Sequence, residues 1–85
     1  MQCGMTISKV KCESFLDPKT NRVRVRPLPN QNLPTDIYIE CDKDVRDEHP
    51  IGTKFITESV KVCKKKDKDQ LYLKAKGNFI YKIKE

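Results

Sequence analysis

Apolar and polar residues alternate with a period of two along much of this chain, a pattern typical of half-buried β-strands. The run "RVRVR" at 22–26 places Val23 and Val25 on one face and three arginines on the other. The runs "DIYIEC" at 36–41 and "LYLKAK" at 71–76 alternate in the same way. No apolar stripe of helical period lasts for more than about two turns. The sequence therefore predicts a mainly β protein.

The alternation changes phase near the start of the chain. Met5 and Ile7 share one parity, whereas Val10 and Cys12 share the other. A one-residue shift of this kind moves the following side chains to the opposite face of a sheet. The change of phase predicts a β-bulge or a sharp bend near residues 8–9.

Turn-forming residues separate the predicted strands. "DPKTNR" at 17–22 carries the proline, aspartate and asparagine of a tight turn and predicts a hairpin. Three prolines in residues 27–35 exclude a central strand there and predict an extended connection. The charged segment 42–50 predicts at most one short helical turn. Further turns are expected at Gly52 and at "KGN", residues 76–78.

The second half of the chain is predicted to hold one strand within residues 53–63 and a final hairpin of residues 71–85. Phe55 falls on the opposite parity from the other apolar residues of its strand, so we expect it near one end of the fold. Ile80 falls on the outward face of the final hairpin. The predicted inward positions are Ile56, Val60, Val62, Leu71, Leu73, Ala75, Phe79, Tyr81 and Ile83.

The length of 85 residues fits one domain, residues 1–85, and is too short for two. About six short strands with meander turns are expected. So short a chain has too few residues for a sandwich of two full sheets. The pattern favours a small antiparallel β-barrel of the OB or SH3-like kind.

Charge adds a functional lead. The chain carries 18 Lys and Arg residues against 12 Asp and Glu residues, a formal net charge of +6. A charge of this size attracts polyanions, but it also lies within the range that keeps a small domain soluble. The arrangement of the basic residues on a face therefore matters more than their sum.

Two basic clusters are candidate binding sites. The outward face of the last hairpin would present one tyrosine among lysines, a composition suited to single-stranded nucleic acid, or else an ordinary solvated face. The arginines of "RVRVR" would lie about 6–7 Å apart, suited to phosphates, or else paired with Glu40 and Asp42 on a neighbouring strand. The candidate nucleic-acid-binding residues are Arg22, Arg24, Arg26, Tyr72, Lys74, Lys76, Lys82 and Lys84.

Catalytic and metal chemistry receive no support from the sequence. His49 is the only histidine, and we expect it in a solvent-exposed turn. The four cysteines contain no C-x-x-C pair, so we expect neither a zinc site nor disulfides, but thiols that pack as small apolar side chains. No phosphate-binding or dinucleotide motif is present among three glycines. The expectation is a non-enzymatic protein without a metal or other cofactor.

The functional prediction is a small basic binding module, an accessory protein for single-stranded nucleic acid. The alternative is a protein-interaction or self-associating module, a homodimer in which Tyr72 and Ile80 form part of the contact. No segment approaches the ~20 apolar residues of a membrane span, and residues 1–12 lack the apolar core of a signal peptide. We therefore expect no membrane partner and a cytoplasmic location.

Overall fold

The structure is a computed structural model that describes residues 2–84. They form eight short strands, one α-helix and one 3₁₀ turn. In chain order the elements are β1 (Thr6–Ser8), β2 (Lys11–Asp17), β3 (Arg22–Pro27), β4 (Ile39–Glu40), α1 (Lys43–Glu48), β5 (Lys54–Ile56), β6 (Ser59–Lys64), β7 (Leu71–Ala75), the 3₁₀ turn (Lys76–Asn78) and β8 (Tyr81–Lys82).

The strands form two four-stranded sheets. The order in the first sheet is β1-β6-β7-β4, and the order in the second is β3-β2-β5-β8. All pairs are antiparallel except β4 with β7, where Ile39 lies opposite Leu73 in a parallel ladder. The prediction of a mainly β fold is confirmed. Among the described residues no strand pairing joins the two sheets, so the predicted barrel closure is not confirmed.

The two sheets share one hydrophobic core. Phe55 of β5 is fully buried at its centre, which corrects the expectation that this ring lies near an end of the fold. The inward residues expected on β3, β6 and β7 are buried as predicted at Val25, Val60, Val62, Leu73 and Ala75. The other members of the hydrophobic core are Val10, Cys12, Ile37, Ile39, Cys41 and Ile80.

The predicted change of phase near residues 8–9 is confirmed. Lys9 has a φ of 53°, and the chain passes there from β1 in the first sheet to β2 in the second. We call such a passage between the sheets a crossing. A second crossing leads from β5 in the second sheet to β6 in the first, so residues 53–63 form two strands and not the single strand expected. The buried Thr57 joins the two crossings, because its Oγ1 accepts a hydrogen bond from the Val10 N–H at 3.2 Å.

The predicted final hairpin is wrong. β7 pairs with β6 and β4, whereas β8 pairs with β5 in the second sheet. Gly77 and Asn78 both have a φ of 62° and turn the chain from one sheet to the other. The turn reverses the expected faces: Ile80 is buried at 5% exposure, whereas Phe79 and Tyr81 are 58% and 51% exposed.

Local turn chemistry is confirmed in the first hairpin. The Asn21 N–H donates to the Asp17 carbonyl oxygen at 2.7 Å, and Asn21 takes a φ of 57°. The expected helical turn is a six-residue helix, and its N-cap residue Asp42 accepts a hydrogen bond from the Asp44 N–H at 2.9 Å. The extended connection of residues 27–35 is also present, and Gln31 fastens it to β2 through hydrogen bonds to the backbone of Lys11.

Neither helical segment within residues 2–84 has the length and apolar character needed to cross a bilayer.

Candidate functional site

The arginines of β3 lie on the outer face of the second sheet. The Arg24 Nε lies 3.0 Å from Asp17 Oδ2, and the Arg26 Nε lies 3.2 Å from Glu13 Oε1. Two of these arginines therefore pair with carboxylates, as the second interpretation of the sequence predicts. The partners lie on β2 and are not the expected Glu40 and Asp42.

Two aromatic rings hold these arginines in place. The guanidinium carbon of Arg24 lies 4.8 Å from the ring centroid of Tyr38, and that of Arg26 lies 4.5 Å from the centroid of Phe15. The Phe15 and Tyr38 rings stack, with centroids 6.0 Å apart. Both arginine side chains stay partly exposed, at 31% and 41%. Cation–π contacts thus orient the two guanidinium groups without removing them from solvent.

Asp17 anchors this arrangement at the end of the hairpin. Its carboxylate accepts a hydrogen bond from the Lys19 N–H at 3.0 Å and another from the Thr20 hydroxyl at 3.3 Å. The Lys19 N–H is the largest cause that lowers the pKa of Asp17. Thr20, the charge of Arg24 and the Tyr38 hydroxyl act in the same direction, against an opposing effect of desolvation. The carboxylate is therefore stabilised in its charged form.

A cleft of about 640 Å³ opens beside Arg24, between β4, α1 and the loop that joins β6 to β7. We call it the basic cleft, because five cationic side chains and one carboxylate line it. Two tyrosines, one from each half of the chain, line it as well. Its lining residues are Arg24, Tyr38, Ile39, Glu40, Cys41, Arg46, Lys64, Lys65, Lys66 and Tyr72.

Arg46 retains an unused hydrogen-bond donor in the basic cleft. Its Nε atom is buried and has no hydrogen-bond partner within residues 2–84, whereas the Nε atom of Arg24 faces Asp17 Oδ2 at 3.0 Å. Arg46 comes from α1 and lies beside Cys41. Burial raises the pKa of the Cys41 thiol, and the Arg46 charge opposes that shift. Buried donors without partners are rare in folded proteins and fit a site that accepts an anion.

The predicted lysine face is divided between two sites. Tyr72 lines the basic cleft, whereas Lys74 lies farther along β7, opposite Lys61 of β6. The Lys76 Nζ lies 3.2 Å from Glu58 Oε1. Lys82 lies in β8 of the second sheet and Lys84 follows this strand, and both line a separate cleft of about 720 Å³ with Lys54, Ile51 and Ile83. Of the predicted residues, Arg24 and Tyr72 thus line the basic cleft, Lys82 and Lys84 line the separate cleft, and Arg22 stays exposed at the hairpin end.

The sequence offers no reason to select several residues of the basic cleft. Lys64, Lys65 and Lys66 lie in a charged segment between two predicted strands, and Arg46 lies in the charged segment 42–50. One signal was present: four residues separate the lysine run from the strand that carries Tyr72. Tyr38 could have been noticed too, because its outward parity in "DIYIEC" matches the outward parity of the arginines in "RVRVR".

The cysteines and the histidine lie in different environments. Cys12 is buried, and burial together with the nearby Cys41 raises its pKa to about 12. Cys63 is half-buried and Cys3 is exposed, and all four thiols are free. His49 is half-buried and not solvent-exposed as expected, and its ring lies 5.5 Å from that of Phe55. Within residues 2–84 no three metal-ligating side chains form a group.

Comparison with protein-family models, with curated proteins and with solved structures finds no match to this chain.

Proposed function

We propose that this protein binds single-stranded nucleic acid through the basic cleft. The observation that carries the proposal is the convergence of five cationic side chains and two tyrosines on one cleft. Proteins that hold single strands combine a positively charged groove for phosphates with aromatic rings for bases. The proposal keeps the predicted partner and moves the site from the lysines of β7 and β8 to the loop after β6.

The side chains of the basic cleft have separate roles in this proposal. Lys65 and Lys66 neutralise phosphates as point charges, whereas Arg24 and Arg46 offer fixed donors. The Lys64 Nζ lies 3.0 Å from Asp69 Oδ1, so this lysine must leave its carboxylate partner to contact a phosphate. The half-buried ring of Tyr72 offers a face for one base. Glu40 disfavours a phosphate at the cleft's edge and so restricts where the backbone can run. Because no base-specific donor set is required, the binding is expected to tolerate many sequences.

The test is fluorescence anisotropy of labelled single-stranded and duplex oligonucleotides at two salt concentrations. In the test variant, Lys65→Glu and Lys66→Glu reverse two charges of the basic cleft. In the control variant, Lys82→Glu and Lys84→Glu reverse two charges at the separate cleft. Since lost phosphate contacts weaken binding, we expect about tenfold or greater loss of affinity in the test variant and little change in the control. Equal loss in both variants, or no binding at low salt, would contradict the proposal.

Self-association is a second candidate function, supported by a different part of the molecule. Phe79 and Tyr81 are exposed beside β8, which is an edge strand of the second sheet. The Phe79 ring is held against the backbone, since a Cβ on Gly77 would lie 2.8 Å from it. Fixed, exposed aromatic rings are typical of contact surfaces. The proposed dimer contact is therefore formed by Phe79 and Tyr81 and not by the predicted Tyr72 and Ile80.

Sedimentation equilibrium tests this second function. If the aromatic pair forms a dimer contact, the wild-type protein is dimeric and the Phe79→Ser, Tyr81→Ser variant is monomeric at the same concentration. Met5→Ser, which removes another exposed apolar side chain, serves as the control and stays dimeric. A wild-type monomer at high micromolar concentration would rule the function out.

A further inference from the structure

The N-terminal segment continues along β6 beyond the start of β1. The Gly4 N–H donates to the Val62 carbonyl oxygen at 2.8 Å, and the Val62 N–H donates to the Met5 carbonyl oxygen at 2.8 Å. Gly4 and Met5 thus both lie opposite Val62. Gly4 has a φ of 93°, so this arrangement is a glycine β-bulge. The Met5 N–H bonds the Gln2 carbonyl oxygen at 3.1 Å and closes a tight turn around Cys3.

The bulge brings two cysteines opposite each other. Cys3 precedes Gly4, and Cys63 follows Val62, so the antiparallel register makes Cys3 and Cys63 neighbours across the two segments. Cys3 lies in the turn just before β1, outside the ladder itself, and the hydrogen bond from the Gly4 N–H to the Val62 carbonyl oxygen lies between the two cysteine positions. In an antiparallel ladder, the Cα atoms that flank such a bond lie about 4.5 Å apart. That spacing falls within the range of about 4.4–6.8 Å found in disulfides.

Both thiols lie on the side of the first sheet that carries Tyr72. Cys63 is the cross-strand partner of Tyr72 in the β6–β7 ladder. The pKa of Tyr72 is raised chiefly by Cys63 and then by desolvation, and Cys3 makes a smaller contribution in the same direction. One tyrosine thus has both cysteines near it, as the register requires.

We propose that Cys3 and Cys63 form a redox-active pair that closes to a disulfide in the presence of a small-molecule disulfide such as oxidised glutathione. The thiolate of the exposed Cys3 attacks the S–S bond of oxidised glutathione, and one glutathione thiolate leaves. The Cys63 thiolate then attacks the mixed disulfide at the Cys3 sulfur and releases the second glutathione thiolate. The two cysteines lose two electrons and two protons, and one oxidised glutathione becomes two reduced molecules.

Exposure selects this pair over the other two cysteines. Cys12 and Cys41 are buried in the shared core, and burial raises the pKa of both thiols. The thiolate is the reactive form, so both react slowly in the folded protein. Cys3 is exposed and accessible to a dissolved oxidant, and Cys63 is half-buried beside it. The proposal does not rest on the proposed nucleic-acid binding, because its test follows the cysteines alone, although Cys63 lies opposite Tyr72 of the basic cleft.

The experiment is equilibration of the folded protein in glutathione redox buffers, followed by alkylation and peptide mapping without reduction. We expect a peptide in which Cys3 is linked to Cys63, while Cys12 and Cys41 are alkylated only after unfolding. The disulfide should raise Tm by about 5 °C or more, because it constrains the unfolded chain between two distant residues. The Cys63→Ser variant should stop at a Cys3–glutathione adduct with no rise in Tm.

Three results would overturn the proposal. A wild-type protein that stays a mixed disulfide at Cys3 would show that Cys63 is out of reach. Pairing of Cys63 with Cys12 or Cys41 would show a different neighbour. Covalent dimers through Cys3 would show that the thiol reacts between copies instead of within one chain. The Cys41→Ala variant is the matched control, because it removes a thiol and keeps the proposed link.

Discussion

At the scale of single residues, Asp17 does the most to fix the candidate site. Its carboxylate accepts a hydrogen bond from the Lys19 N–H. One carboxylate oxygen, Oδ2, lies 3.0 Å from the Arg24 Nε and 3.4 Å from the Tyr38 hydroxyl. Its side chain is only 4% exposed, so these partners act with little competition from water. Arg24 is therefore held at the cleft by a carboxylate on one side and an aromatic ring on the other.

The lowered pKa of Asp17 gives a prediction about acid stability. An unfolded chain binds a proton at this carboxyl near its ordinary pKa of about 3.9, whereas the folded chain binds it only at lower pH. The stabilisation by Asp17 is therefore present above about pH 4 and is lost as pH falls through the folded pKa. In thermal unfolding between about pH 6 and 2, we expect Tm to fall more steeply for the wild type than for Asp17→Asn.

The control for this prediction is Asp67→Asn, which changes an exposed carboxyl in the loop after β6. Its Tm should follow that of the wild type throughout the titration. If the curves of Asp17→Asn and the wild type ran parallel into acid, Asp17 would not stabilise the fold through its charge.

At the scale of elements, the two sheets depend on the crossings between them. Thr57 and Val10 lie at two such crossings and are both buried. The Val10 carbonyl oxygen accepts the Thr57 N–H at 2.9 Å, and the Thr57 hydroxyl lies within 3.3 Å of both backbone polar groups of Val10. The Thr57 side chain thus accepts a hydrogen bond from the buried Val10 N–H, while the Val10 carbonyl oxygen is already paired with the Thr57 N–H.

Thr57→Val tests this role with almost no change of shape. The substitution leaves the buried Val10 N–H without an acceptor, which costs about 1–3 kcal/mol in the free energy of unfolding. Urea denaturation should show a lower midpoint with an unchanged m-value. Thr6→Val, at an exposed position of β1, should leave the midpoint nearly unchanged. An equal midpoint for Thr57→Val and the wild type would mean that another group accepts the Val10 N–H.

The sequence predicts the local properties of the strands and turns, but it does not predict how the strands pair. The hairpin at 17–22 and the faces of "RVRVR" and "DIYIEC" were predictable, because turn chemistry and alternation act between near neighbours. The partner of each strand was not, since alternation reports which side faces inward and says nothing about which strand lies beside it. The sequence around Gly77 therefore predicts a hairpin turn where the chain in fact passes between the sheets. For the same reason Ile80 was expected to be exposed, whereas it is buried.

The basic cleft was unpredictable for the same reason. Arg24, Arg46 and Lys65 are separated by about twenty residues from one to the next, and only the tertiary fold brings them together. Each was visible as part of a local charged segment. Their convergence depends on the parallel pairing of β4 with β7, which no short-range pattern indicates.

At the scale of the whole molecule, the net charge of +6 is spread over more than one surface. The basic cleft holds five cationic side chains, and the separate cleft holds Lys54, Lys82 and Lys84. A general attraction for polyanions would depend on the total charge, whereas a binding site depends on where the charges lie. Salt dependence separates these two cases, because it counts the phosphates neutralised by the protein.

The two charge-reversal variants have the same formal net charge, so they differ only in where the charges are changed. Each reverses two lysines and so lowers the formal net charge from +6 by four. If the basic cleft holds the strand, the slope of log affinity against log salt should become shallower by about 1.4 for Lys65→Glu with Lys66→Glu, because two phosphate contacts are lost. The slope should stay at the wild-type value for Lys82→Glu with Lys84→Glu. Equal flattening in both variants would mean that the whole charge of the molecule, and no particular cleft, attracts the strand.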